Sequence, residues 1–380
     1  MKLLVLRFLL LISCFSHSYA TKDQPYNAIF SFGNSYADTG NFVTLENGAT
    51  PYEHLPYGMT YFGEPTGRAS DGRLVIDFIA QALGLPLIPP YFSHGQNFSR
   101  GANFAVIGAT ALSLDYLKQR GIPTLLPVDT SINTQLGWFD QLKPLLCDTT
   151  ESCQDFFSRS LFILGEFGGN DYAFILSAGK SISEVQSYMP VVIDTIRQAA
   201  ESLLKQGALH IIIPGILPSG CVPIRLTTYA SKNKSDYDSL GCLKEYNTLG
   251  FHHNMMLKET VAQLQSTYPL AKFIYADYYE PVIQFLQNPN KFGFTVKEPL
   301  RICCGGGGPY NYNSSAICGQ PGVSACSNPS TYINWDGIHL TEAAYKIIAT
   351  GWLNGRYAHP PISFSVQEIL IYSENIVTHW

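Results

Sequence analysis

Apolar positions along the chain fall into two alternating kinds of run. Short continuous runs occur at residues 28–32, 160–164, 210–213 and 272–276. Their length and β-branched or aromatic content predict buried strands. Between them lie longer stretches with helical spacing. Residues 73–83 place Leu74, Phe78 and Ile79 on one face. Residues 191–204 repeat Val192, Ile193, Ile196, Ala200, Leu203 and Leu204, the pattern of an amphipathic helix ended by Gly207. Residues 246–264 read as a further helix, and residues 341–349 as a last one with Thr341 as its N-cap. Strands without polar alternation, separated by helices, describe a parallel sheet covered on both faces. The expected fold class is α/β, a three-layer α/β/α sandwich with a parallel sheet. No low-complexity linker or internal repeat divides the chain, and residues 301–328 read as an irregular insertion carrying Gly305 to Gly308.

Composition narrows the setting. Hydrophobic residues make up 46% of the 380 positions and charged residues 14%, which supports a sizeable core and excludes a disordered chain. The formal net charge is −5 with no Lys/Arg run, so nucleic acid is not an expected partner. Lys2 and Arg7 precede or flank an apolar stretch, and Ser18-Tyr19-Ala20 fits a small-x-small cleavage site. Residues 1–20 are therefore expected to be a signal peptide, and residues 21–380 one domain. The apolar stretch is too short for a stable membrane anchor. Eight cysteines remain after that segment: Cys147, Cys153, Cys221, Cys242, Cys303, Cys304, Cys318 and Cys326. Disulfides are expected within the first two pairs and among the last four, because the spacings lack two C-x-x-C halves and no His is interleaved. Glycosylation sequons at Asn97, Asn233 and Asn313 point to the same oxidising compartment, with the apoplast or vacuole as destinations.

Sites in open α/β sheets form beyond the carboxyl ends of strands. The first strand ends in Phe32-Gly33-Asn34-Ser35-Tyr36-Ala37-Asp38. An isolated Ser near Gly more often caps a turn than attacks a substrate, so Ser35 needs a base. Of nine histidines, His339 alone follows an acid at one-turn spacing, in Asp336-Gly337-Ile338-His339. That spacing lets a carboxylate hold imidazole Nδ1–H and leave Nε2 for a serine, although a capping Asp beside a structural His fits locally as well. The run 160–164 leads into Gly165-Glu166-Phe167-Gly168-Gly169-Asn170, which offers the Asn170 amide as an oxyanion donor. Gly108, in the segment Gly101 to Ala109, adds a backbone N–H. Alone, each is an ordinary turn or packing residue.

Together the four segments resemble, in order, the sequence blocks of the GDSL esterase/lipase family, the plant branch of the SGNH hydrolases, over residues 27–345. The resemblance implies a flavodoxin-like sheet and Ser35 as nucleophile. It implies an oxyanion hole of the Ser35 N–H, Gly108 and Asn170, with Asp336 and His339 as orienting acid and base. No metal or organic cofactor is implied. Pro56-Tyr57-Gly58, Pro65-Thr66-Gly67-Arg68, Ser70-Asp71-Gly72-Arg73 and Tyr275-Ala276-Asp277-Tyr278-Tyr279 look most like the subgroup that includes acetylajmalan esterase and sinapine esterase-like enzymes. The expected activity is then deacylation of small specialised metabolites through an acyl-enzyme. Alternatives are acyl transfer to an alcohol, deacetylation of wall polysaccharide, or non-catalytic glycan or lipid binding. An α/β-hydrolase is disfavoured because Ser35 lies near the N-terminus without a second elbow glycine. One departure stands out: the family's Gly-Asp-Ser-Leu is Gly33-Asn34-Ser35-Tyr36 here. Oligomeric state is not written in the sequence.

Overall fold

The computed structural model describes residues 25–46, 50–125 and 127–362. The expected signal segment 1–20 lies outside the described residues. The four apolar runs are strands: β1 (Ile29–Phe32), then, after a short β2 (Gly101–Asn103), β3 (Leu161–Leu164), β4 (His210–Pro214) and β5 (Lys272–Ala276). Two-residue strands β6 (Cys304–Gly305) and β7 (Ser324–Ala325) form an antiparallel ribbon inside the insertion. A last short strand, β8 (Ala358–His359), returns to the main sheet.

The main sheet runs β2-β1-β3-β4-β5-β8. The first five strands are mutually parallel, with Ile29 opposite Gly101 and Leu161, and Leu161 opposite His210. The sheet is parallel as expected except at its edge, where the two-residue strand β8 pairs antiparallel with β5. Neither β2 nor β8 carries an apolar run; their pairing partners, not their own composition, make them strands. The order 2-1-3-4-5 is the flavodoxin-like one, whose direction of winding reverses between β1 and β3.

Side chains alternate across the sheet, so each strand feeds both faces. Phe30, Phe32, Phe162, Leu164, Ile211 and Phe273 join one core with the helices Ile132–Leu142, Ile182–Lys205 and Lys244–Thr267. Ile29, Leu161, Ile163, Ile212 and Ile274 join the opposite core with Val75–Ala82, Tyr279–Gln287 and Glu342–Leu353. Burying each such side chain contributes about 1.5–3 kcal/mol. The helix read from residue 191 begins at Ile182 and holds Pro190 within it. Ser181 caps it, with Ser181 Oγ accepting from Glu184 N and Ser181 N donating to the Glu184 carboxylate. Thr341 caps the last helix, as its side-chain oxygen accepts from Ala344 N.

Polar ties connect distant segments around this frame. Arg68 makes two 2.8 Å bonds to the Asp77 carboxylate, and Arg73 pairs with Glu342 on the last helix. Disulfides join Cys147 to Cys153 and Cys221 to Cys242, and the last four cysteines pair as Cys303–Cys326 and Cys304–Cys318. The insertion serves the sheet end: Cys303 N donates to Asn334 O and Cys304 N to Trp335 O, bracing the chain just ahead of Asp336. Asn97 and Asn233 are exposed and Asn313 is half-buried. No helix among the described residues is long and apolar enough to cross a membrane.

Candidate active site

Strand β1 ends against β3 at closest approach. Gly33 has φ 148°, and a Cβ there would lie 2.7 Å from the Gly165 carbonyl oxygen. Only glycine meets both demands. Its backbone is also clamped by Gln135, which accepts from Gly33 N and donates to Gly33 O, both at 2.8 Å. The chain then turns, with Ala37 N and Asp38 N both donating to Asn34 O. Ser35 therefore sits on the outside of a tight turn at the carboxyl end of the sheet.

The last block reaches Ser35 from the other side of the sequence. Ser35 Oγ lies 2.7 Å from His339 Nε2, and His339 Nδ1 lies 2.7 Å from Asp336 Oδ2. Asp336 Oδ1 accepts from Ile338 N and His339 N, which fixes the carboxylate within its own turn. Tyr57 O–H donates to Asp336 Oδ2 at 2.7 Å. Burial raises the Asp336 pKa, but the His339 charge and the hydrogen bonds from His339 and Tyr57 outweigh it and hold the carboxyl below its usual value. The hydroxyl, imidazole and carboxylate stand in the order that a nucleophile, its base and an orienting acid require.

Two further buried carboxylates hold the candidate oxyanion donors near Ser35. Asp38 accepts from Gly40 N, Asn41 N, Phe42 N and Ile107 N, so it ties the Ser35 turn to the residue before Gly108. Asp171 accepts from Ala111 N and Leu112 N, both at 2.9 Å, which ties Asn170's helix to the same loop. Burial pushes both acids up to about 6 against those hydrogen bonds. Gly108 itself has φ 83°, and its loop is further tied to Asn170 by the Nδ2–H bond to Ala109 O at 2.9 Å. That bond uses one amide hydrogen and leaves the second for a ligand. Ser35, Gly108, Asn170 and His339 all line one cavity of about 360 Å³.

The departure at position 34 has a structural counterpart. Asn34 Nδ2 donates to Glu166 Oε1 at 2.6 Å, and Asn34 Oδ1 accepts from Tyr36 N. Tyr36 lines the cavity, and its hydroxyl donates to Ile338 O at 2.8 Å. Glu166, Tyr57 and Gln135 received no role from sequence reasoning. Glu166 and Tyr57 stand inside the segments 165–170 and 56–58, but nothing local marks them as partners of residues 132 and 279 positions away. The other described histidines stay outside the site. His253 is buried against Tyr172 O–H, His252 is exposed, and His54, His94 and His359 are exposed. His379 lies outside the described residues.

Comparison with known proteins decides the family. The family model described as GDSL-like Lipase/Acylhydrolase matches residues 29–352. The chain belongs to the GDSL esterase/lipase family. A GDSL esterase/lipase of Arabidopsis thaliana is 45% identical over 366 residues, covering 93% of this chain and 98% of that relative. A second from Arabidopsis thaliana is 44% identical over 370 residues, covering 96% and 94%. Sinapine esterase of Brassica napus is 44% identical over 347 residues, covering 90% and 89%. This GDSL esterase/lipase is accordingly a carboxylic-ester hydrolase acting on small-molecule esters, and its four disulfides fit an oxidising secretory route.

Proposed function

We propose that the protein is a secreted esterase that deacylates small specialised metabolites through an acyl-enzyme on Ser35. The observation that carries this reading is the 2.7 Å contact between Ser35 Oγ and His339 Nε2, continued at 2.7 Å to Asp336. His339 takes the Ser35 proton as Oγ attacks the ester carbonyl. The Ser35 N–H, the Gly108 N–H and the Asn170 amide donate to the oxyanion that develops. The tetrahedral intermediate collapses, and the alcohol leaves with the proton from His339. His339 then deprotonates water, which attacks the acyl carbonyl, and Ser35 departs with its proton restored. Asp336 holds Nδ1–H throughout and stabilises the imidazolium.

The twenty-residue leader is removed on entry to the secretory pathway in this reading. Asn97, Asn233 and Asn313 carry glycans there.

The test is Ser35→Ala assayed on p-nitrophenyl acetate. Hydrolysis should fall by on the order of 10⁴-fold or more, with far-ultraviolet circular dichroism unchanged. Retention of most activity by a folded variant overturns the assignment.

A further inference from the structure

Among the described residues two arginines are strongly buried, and the fold treats them differently. Arg68 is 6% exposed and is matched by the two-pronged Asp77 carboxylate. Arg225 is 9% exposed, yet its Nη1 has no hydrogen-bond partner, and no carboxylate among the described residues lies within ion-pair distance. Burial pushes its guanidinium pKa down, with weak compensation from Tyr229, Tyr246, Tyr36 and Glu166. Glu166 is the only carboxylate in that group, and its oxygens already serve Asn34 Nδ2 and Gly169 N. A buried charged donor left without an acceptor is costly, so such a group calls for a partner that the chain itself does not supply.

Arg225 lines the cavity that holds Ser35 and His339. It sits on the short helix Pro223–Thr228, whose Ile224 N donates to Gly337 O at 3.0 Å, between Asp336 and His339. The helix that carries Arg225 is therefore tied to the turn that carries the base. The cavity wall is otherwise largely apolar, through Ile107, Leu125, Phe174, Ile216 and Val222, and the one carboxyl group in it, Glu166, is engaged by Asn34 and Gly169 N. A planar guanidinium in such a wall matches a carboxylate, which takes two parallel N–H bonds and neutralises the charge. We propose that Arg225 binds a carboxylate on the substrate, so that the preferred esters are apolar molecules bearing an acid group remote from the scissile bond. This rests on the esterase reading of the same cavity.

The experiment compares kcat/KM within two pairs of esters, each corrected for its uncatalysed rate. The first pair is 4-nitrophenyl hydrogen adipate and 4-nitrophenyl hexanoate, which places the acid on the acyl side. The second is 4-acetoxybenzoate and its methyl ester, which places it on the alcohol side. The wild-type enzyme should favour the acid in at least one pair by about tenfold, which corresponds to about 1.4 kcal/mol. Arg225→Gln should bring that ratio close to one, and Arg225→Lys should keep part of it. A loss common to both members of a pair cancels in the ratio. Wild-type ratios near or below one in both pairs overturn the proposal, as does a preference that survives Arg225→Gln. If Arg225→Gln does not fold, inhibition of the wild type by the products of the favoured pair decides: 4-hydroxybenzoate against its methyl ester for the alcohol side, or adipate against hexanoate for the acyl side, should differ about tenfold in favour of the added carboxylate, and equal inhibition overturns the proposal. Turnover of the neutral esters without preference defeats the Arg225 assignment alone. Absence of any turnover, together with no fluorophosphonate labelling of Ser35, defeats the esterase reading and this one with it.

Discussion

Asn34 donates its amide N–H to Glu166 across 2.6 Å, one residue before Ser35. Burial raises Glu166 to about 7 from an ordinary 4.5, while Asn34 and Gly169 N oppose the rise. The folded-state pKa lies above the unfolded one, so the linked stability is fully present below about 4.5 and is lost as pH rises through about 7. A shift of this size corresponds to about 3 kcal/mol across that window. The thermal midpoint should lose less between pH 5 and pH 8 in Glu166→Gln than in the wild type, the buried His210 and His253, whose pKa values burial lowers, adding the same opposing trend to both. Asp38, Asp71 and Asp171, each raised to about 6, add a further decline common to both proteins. Asn34→Asp should steepen the decline, because two adjacent carboxylates cannot both ionise cheaply. Identical slopes in all three proteins, read by scanning fluorimetry, contradict the account.

Asn170→Ala removes the one side-chain donor of the candidate oxyanion hole and also its bond to Ala109 O. We expect kcat on p-nitrophenyl acetate to drop by about 10²–10³-fold with KM changed little, since the donor acts where charge develops. Steady-state kinetics on the purified variant check this; an unchanged kcat removes Asn170 from the hole.

Tyr57→Phe deletes the hydroxyl that donates to Asp336 Oδ2 and keeps the ring against Trp335. Asp336 retains His339 and two backbone donors. One buried hydrogen bond to a charged group is worth about 1.5–3 kcal/mol, and the partners that remain should limit the loss to about three- to tenfold in kcat. KM should hold steady. A KM effect without a kcat effect places Tyr57 with the substrate instead of the acid.

Asp171→Ala leaves Ala111 N and Leu112 N without an acceptor inside the fold. Two orphaned buried donors should lower unfolding stability by about 2–4 kcal/mol, measured in urea. Asp171→Asn keeps one acceptor oxygen and should lose roughly half as much. Equal losses in the two variants indicate that the charge, not the hydrogen bonding, matters here.

The sequence by itself determined the strands that bury both faces, because a run such as Leu161–Leu164 is apolar whichever partner it meets. It determined the helix-capping role of Thr341, which needs only the N–H groups of the next turn. It also singled out Asp336 and His339, because their contact spans three residues and belongs to one turn. The paired cysteines at 147 and 153 were legible for the same reason. What only the tertiary structure decided is every relation across long stretches of chain. β2 and β8 became strands because β1 and β5 offered free edges, with no apolar run to announce them. Asn34 met Glu166 because the sheet order placed the ends of β1 and β3 side by side, while Tyr57 found Asp336 and Gln135 clamped Gly33 once loops and a helix had packed over that end. Arg225 carried no motif at all; its burial without a partner is a property of the cavity it lines. Local hydrogen bonding and hydrophobic period are written in neighbouring residues, whereas desolvation and long-range pairing exist only once the layers have packed.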